Sequence, residues 1–453
     1  MSEAAERNTT PAGGHEPGGL HKLLKSRGTD VAFCVGAIAA LLATFPWGGT
    51  TPLDDDWDFF ADLLDKPFHE AVLTPSNGHF LPVHKALYGA TLLISGFTSL
   101  APAIAQHAIR LGILLCLRAV LRSVGAWSVE SAFLVLATAF NQAGLEGGFR
   151  WPWSANFELA FLGFVLAVYF LTAAGEERRA SWPLAVACSL SILSSNVGIG
   201  ATIGLPVAAL IAHVRGRGRV RADFLTVTAV VLAIDALWAL GGGGAGVKAQ
   251  TLTLGNAMNP LDKVLAAGKY FAYLTLANSA PAGLVLGTTS GVVNAAFAVA
   301  LFVASMWVVL KSANLRRAMA TGALLTGHLA INTLIAASRW PHGIQHAGSY
   351  RYVLLSTFFQ LPLLAFCLAE GRERLRGRWM ALVSLGLATI ILLAAGVGGF
   401  RGRARAEQES KQRAACLQSL TDGATDLSCL EGTVGYQTPQ RVREIWLAIG
   451  PRP

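Results

Sequence analysis

Apolar stretches alternate with short polar breaks from Val31 to Phe400, and this rhythm dominates the sequence. About 17–25 apolar residues wound as helix cross a hydrocarbon core of ~30 Å. Such stretches fall at 31–47, 103–123, 129–145, 157–174, 182–196, 199–213, 222–241, 289–310, 318–337, 351–369 and 379–399. The pair 182–196 and 199–213 is short and joined at "SNVGI" as a tight polar hairpin. The stretches are continuous in Leu, Ala and Gly rather than alternating, which excludes an outer-membrane barrel. The pattern predicts an all-α, polytopic membrane protein of about 11 transmembrane helices.

One more stretch, "FLPVHKALYGATLLISGFTSL" at 80–100, is apolar enough to span, but counting it breaks the parity. With Arg118/Arg122 and Arg178/Arg179 on one side, 129–145 and 157–174 form a hairpin whose tip, 146–156, faces the other. The helix at 103–123 then runs from outside to inside. Residues 80–100 therefore stay outside as interfacial helices, with Pro82, Gly89 and Gly96 breaking any straight rod. The predicted organisation is a disordered cytoplasmic tail at 1–30, a transmembrane region at 31–399 and a periplasmic appendage at 400–453. Its long outer loops are 48–102, which carries the interfacial helices, and 242–288. Arg401, Arg403 and Arg405 run against this order, since basic residues favour the inner side of a membrane.

Composition agrees with the pattern. Of 453 residues, 53% are hydrophobic and 14% charged, where an ordinary soluble domain has roughly 25% charged. The net charge of +9 is carried by loop clusters, among them Arg215 to Arg221 ("RGRGRVR") and Arg372 to Arg378 ("RERLRGR"). Anchors facing anionic lipid explain them without a nucleic-acid partner. Cys34, Cys116, Cys188 and Cys367 lie in apolar runs, where free cysteine is a small core residue. Cys416 and Cys429 lie in the polar tail and can pair if it faces an oxidising compartment.

Candidate chemistry collects in the outer segments. Between Asp54 and Glu70 stand seven carboxylates against Lys66 alone. Asp58, Asp62 and Asp65 read as the solvated side of an amphipathic helix whose apolar side holds Trp57, Phe59, Phe60, Leu63 and Leu64. Asp54, Asp55 and Asp56 sit at a membrane boundary, where clustered carboxylates raise one another's pKa. Such a cluster suits either a divalent cation, Mg²⁺ or Mn²⁺, or a general base that takes a proton from a hydroxyl. "NGHFLPVHK" at 77–85 adds Asn77, His79, His84 and Lys85, suited to a phosphate or a sugar or, equally, to amphipathic contacts at the interface. The tip "LEGGFRWPWSANFE" at 145–158 brings Glu146, Arg150, Trp151, Trp153, Asn156 and Glu158, either an interfacial aromatic belt or a sugar-stacking surface. "SRWPHGIQHAGSYRY" at 338–352 places Arg351 at a helix start, as a phosphate ligand or a snorkelling anchor. The run "GGGGAG" lacks the lysine of a phosphate loop and reads as a hinge.

This layout resembles the GT-C class of membrane glycosyltransferases, in particular bacterial members that use polyprenyl-phosphate sugars. The resemblance rests on "DDW" (Asp55, Asp56, Trp57), "NGH" (Asn77, Gly78, His79), Glu146 in "EGGFRW", and the pair Arg351–Tyr352 opening a late helix. It implies transfer of a sugar from a polyprenyl-phosphate donor to an envelope glycan, lipid or protein acceptor on the periplasmic face of the bacterial inner membrane. Asp55 or Asp56 would deprotonate the acceptor, and Glu146 would orient the acceptor or a divalent ion, with Glu158 as its rival. Arg351, with Arg150 and His79, would neutralise the departing lipid phosphate; Asn77, Lys85, Tyr352 and Trp151 would line the donor site. Two readings from other classes stand beside it. One is a transporter or flippase of a lipid-linked saccharide, with Asp235 in the span 222–241 as its buried charge. The other is a non-catalytic membrane subunit whose tail binds a partner.

Overall fold

The computed structural model describes residues 18–47, 55–75, 80–140, 155–173, 181–215, 259–277, 291–343, 350–375, 378–423, 428–430 and 437–449, with 229 and 233 singly. All described secondary structure is helical. The first half of the chain holds α1 (Gly18–Thr44), α2 (Asp55–Asp65), α3 (Phe68–Leu73), α4 (Pro82–Ile94), α5 (Leu100–Ser123), α6 (Val129–Ala139), α7 (Ala155–Ala173) and α8 (Ser181–Ser194). The second holds α9 (Asn196–Thr202), α10 (Gly204–Arg215), α11 (Pro260–Ala272), α12 (Gly291–Lys311), α13 (Leu315–Arg339), α14 (Tyr350–Leu375), α15 (Arg378–Thr421) and α16 (Pro439–Ile449).

Eight of the expected eleven spans coincide with stretches long and apolar enough to cross a membrane, α9 and α10 counting as one. The chain is a multi-pass membrane protein. Two more, α6 and α8, are shorter apolar helices, and of the expected span 222–241 only residues 229 and 233 are among the described residues. The expected SNVGI hairpin is tighter than its sequence suggests: Ser195 alone separates α8 from α9, and its Oγ accepts from Val197 N. A Cβ on Gly198 would lie 2.1 Å from the Ser191 carbonyl oxygen, so only glycine lets α9 fold back this closely. The stretch 80–100 becomes α4 and a turn; at thirteen residues α4 is too short to cross.

Helical structure starts at Gly18, inside the segment expected to be a disordered tail through residue 30. A polar anchor holds this part of α1: Asp30 accepts from Arg118 Nε at 3.0 Å and Trp127 Nε1 at 3.1 Å and pairs with Arg122 at 3.2 Å. Residues 1–17 lie outside the described residues.

The basic clusters converge on one end of the bundle, here called the base. Arg317, buried on α13, bonds Glu370 at 3.0 Å and Glu373 at 2.9 and 2.5 Å. It also donates to the carbonyls of Val124 and Gly125. Arg374 bonds Glu370 at 2.8 Å, Arg372 bonds Glu130 at 2.8 Å, and Arg215 donates to the carbonyls of Val309 and Ser312. Asn314 caps α13 and donates to the Val124 carbonyl at 2.8 Å. These bonds tie α5, α6, α10, α12, α13 and α14 at one level, which fixes their alternating directions.

At the opposite end, the head, α15 runs through residue 400 without a break and continues to Thr421. The appendage is therefore an extension of a membrane helix. Its end is closed by the Cys416–Cys429 disulfide and by α16. Leu417, Leu420, Leu430, Val442, Ile445 and Ile449 from this part share one core with Trp57, Phe59, Phe60 and Tyr88 from α2 and α4. Two segments far apart in sequence thus build one small unit, because neither α2 nor α16 can bury its apolar side alone.

Candidate active site at the head

α2 opens with Asp55 and Asp56. Asp56 is fully buried, and the Tyr88 hydroxyl of α4 donates to its Oδ1 at 2.9 Å. Aromatic rings hold the tyrosine: Phe59 stacks at 5.9 Å and His84 at 5.8 Å. Burial, then the Asp56 carboxylate, push the Tyr88 phenol well above its ordinary range, so it stays a donor. Burial, and then the charge on Lys85, lower His84 to about 3, which makes it a neutral imidazole at pH 7.

Lys85, expected beside the donor phosphate, is fully buried and engaged within its own loop. Its Nζ donates to the Thr74 and Ala71 carbonyls at 2.5 and 3.2 Å, lies 3.5 Å from Asp62 and sits over the Phe59 ring. It ties α2, α3 and α4 together. Burial lowers its amine to about 8 against the opposing pull of Asp62. The acidic side of α2, expected to be solvated, is largely paired. Asp62 also takes Lys66 at 2.7 Å, Asp58 accepts from Gln437 at 2.7 Å, and Asp65 accepts from Arg441.

A second acidic group lies in the first turn of α7. Glu158 is buried, and Arg110 of α5 donates to its Oε1 from Nε at 2.9 Å and from Nη2 at 2.7 Å. Gln106 Nε2 adds a bond to the same oxygen at 3.4 Å. Glu158 Oε2 is left without a hydrogen-bond partner. α4 packs against α5, α7 and α8, so one helix carries the Asp56 partner and also covers the layer containing Glu158.

Of the other residues read from the sequence, Tyr352 is buried in α14, while Asp55 and Arg351 are described only as positions in the first turns of α2 and α14. Asn77, His79, Glu146, Arg150 and Trp151 lie outside the described residues. Sequence reasoning missed Tyr88 and Arg110. An arginine within an apolar span is the signal that marks Arg110, since such a charge needs a buried partner; Tyr88 carries no comparable signal. Among the described residues, no three His, Cys, Asp or Glu side chains are grouped as ligands for an ion, and the expected Mg²⁺ or Mn²⁺ site at Asp55 and Asp56 gains no support.

No family model and no curated protein sequence matches the chain. Among solved structures it is similar to the archaeal oligosaccharyltransferase AglB from Archaeoglobus fulgidus, in complex with an inhibitory peptide and a dolichol-phosphate. The identity is 17% and the TM-score 0.43, over 93% of this chain and 60% of that one, so the chain spans less than two thirds of the length of the protein it matches.

Proposed function

We propose that the chain is a GT-C-type membrane glycosyltransferase, hexosyl or pentosyl, moving a sugar from a polyprenyl-phosphate donor to an envelope glycan, lipid or protein acceptor. The observation that carries this reading is the placement of Asp56: a carboxylate withdrawn from water just beyond the first span, held by a tyrosine hydroxyl. A base in that setting is oriented before substrate arrives. The Asp55–Asp56 pair takes the proton of the acceptor hydroxyl, the acceptor oxygen bonds to the anomeric carbon, and the bond to the lipid phosphate breaks with its electron pair. Arg351, with Arg150 and His79, receives that charge. Asn77, Trp151 and Tyr352 bind the sugar, and Glu146 orients the acceptor. The head faces the periplasm of a bacterial inner membrane; the Cys416–Cys429 bond supports an oxidising side.

Purified protein given a radiolabelled polyprenyl-phosphate sugar and a membrane acceptor extract transfers label on this reading. The double variant Asp55→Asn/Asp56→Asn folds and does not. Full activity in that variant ends the assignment of the base.

A transporter of lipid-linked saccharides draws on a different observation. His328 is buried midway along α13, 3.4 Å from Asn332, which donates to Thr275 at 3.2 Å. Polar groups at such depth mark transport paths. Movement of lipid-linked saccharide across sealed vesicles without transfer selects this reading.

A further inference from the structure

The last described helix reaches the proposed base through a chain of aromatic rings. α16 lies along α2: Gln437, just ahead of α16, donates to Asp58 at 2.7 Å near the start of α2, and Arg441 bonds Asp65 at its end. In the same contact the Trp446 ring meets Trp57 edge-on at 6.5 Å. Trp57 meets Phe60 edge-on at 5.8 Å, and Phe60 stacks on Tyr88 at 6.5 Å. The Tyr88 hydroxyl then donates to Asp56 at 2.9 Å. Trp446 is itself held from behind, its Nε1 donating at 3.1 Å to Thr421 Oγ1 on the last residue of α15.

Trp57, Phe60 and Tyr88 are all buried, so a shift of one ring is passed to the next. α2 and α4, at eleven and thirteen residues, are too short to hold themselves and take their register from what packs on them. Paired rings favour defined geometries, which makes them suited to fixing that register. A hydrogen bond is steep in distance and angle. A small slip of α2 against α4 therefore spoils the Tyr88–Asp56 bond well before it unfolds the head. A misplacement of about 1 Å at a reacting group can cost roughly 100-fold in rate.

We infer that Trp446 is a positioning residue for Asp56: it wedges the ring chain so that the Tyr88 hydroxyl and the Asp56 carboxylate keep their bonded register. The C-terminal helix is then part of the machinery that orients the base, and Thr421 seats Trp446 in turn. This role rests on the reading of Asp56 as the base.

The test pairs a double-mutant cycle on label transfer with chemical labelling of Asp56, both on the full-length protein in nanodiscs. Trp446→Ala lowers kcat by about tenfold or more and leaves KM for the polyprenyl-phosphate sugar within about twofold, the pattern of a lost transition-state alignment. Tyr88→Phe, which keeps the ring and loses the donor, lowers kcat as well. In the double variant the two losses do not add, since Trp446 acts through the bond that Tyr88→Phe has already removed. Arg441→Ala, which leaves every ring in place, transfers label like the wild type. With no donor sugar present, a water-soluble carbodiimide with glycinamide modifies Asp56 several-fold faster in Trp446→Ala than in the wild type, read by mass spectrometry. Trp446→Phe, which retains a ring, lies between the two in both readouts and carries the test if Trp446→Ala does not fold.

Additive losses in the cycle, or a loss that lies in KM alone, overturn the inference. Equal modification of Asp56 in the wild type and in folded Trp446→Ala overturns it too. Faster modification in that variant, when even the wild type transfers no label, leaves the positioning role standing and removes the glycosyltransferase. Label transfer at the wild-type kcat in folded Trp446→Ala does the reverse.

Discussion

Arg441 Nη2 reaches both carboxylate oxygens of Asp65, at 2.8 and 2.7 Å, across 376 positions of sequence. The pair fastens the last described helix to the first helix beyond the opening span. It lies at the rim of a core in which the Trp446 ring meets Trp57 edge-on at 6.5 Å.

An exposed ion pair and a buried aliphatic side chain weigh differently in that contact. Arg441→Ala is expected to leave the melting temperature almost unchanged, as loss of an exposed pair does. Ile445→Ala, which empties a fully buried position, is expected to cost about 2–5 kcal/mol. Thermal melts of the two variants, with proteolysis of the head as a second readout, check the order; equal losses would sink it.

The disulfide closes a short loop, with its cysteines thirteen positions apart. Loops near that size stabilise by about 3 kcal/mol through the unfolded chain. Cys416→Ser/Cys429→Ser is expected to loosen the head while the bundle keeps its melting temperature. Hydrogen exchange resolves the two, with faster exchange in α16 and unchanged rates in α13.

Acid should open the same region first. His84 titrates near 3 in the folded protein against an ordinary 6.5, so the unfolded chain binds the extra proton in that interval. Stability is complete above about pH 6.5 and falls as pH drops toward 3, by up to about 1.4 kcal/mol per pH unit. His84→Phe flattens that slope. Denaturation series at several pH values read it directly, and a slope unchanged in the variant would refute the assignment.

At the base, Arg317→Ala is expected to cost about 3–5 kcal/mol, because it empties a buried position and leaves the buried Glu370 with only the 41% exposed Arg374 as its cation. Arg372→Ala, whose side chain is 39% exposed, is expected to cost far less. Detergent melts of the two variants check the contrast.

The membrane architecture was legible because span length and apolarity follow from bilayer thickness, and ten of the eleven predicted spans meet described helices. Helix ends were less legible. The expected 129–145 span is helical only through Ala139 among the described residues, and nothing in the sequence between 196 and 199 announces that Ser195 alone makes the turn. The candidate site was half legible. Asp56 stood out as a carboxylate at a boundary, and Glu158 only as the rival of Glu146 in the stretch 145–158. Their partners were hidden, since Tyr88 and Arg110 lie 32 and 48 residues away in sequence. The docking of α16 on α2 was hidden for the same reason: an amphipathic helix shows that it needs a cover, not which one.

The unbroken α15 has a consequence for how this chain can change. Its 44 residues rise roughly 66 Å as one rod, from the arginine-rich end to the disulfide. It acts as a ruler that sets both the height and the azimuth of the surface receiving α2. Inserting a single residue lifts that surface by about 1.5 Å and swings it by about 100°, carrying Leu417 and Leu420 off their seat. Insertions of about seven or eleven residues restore the phase, at the expense of about 10 or 16 Å in height. Length variation among natural versions of this protein should therefore accumulate in the loops and spare this helix.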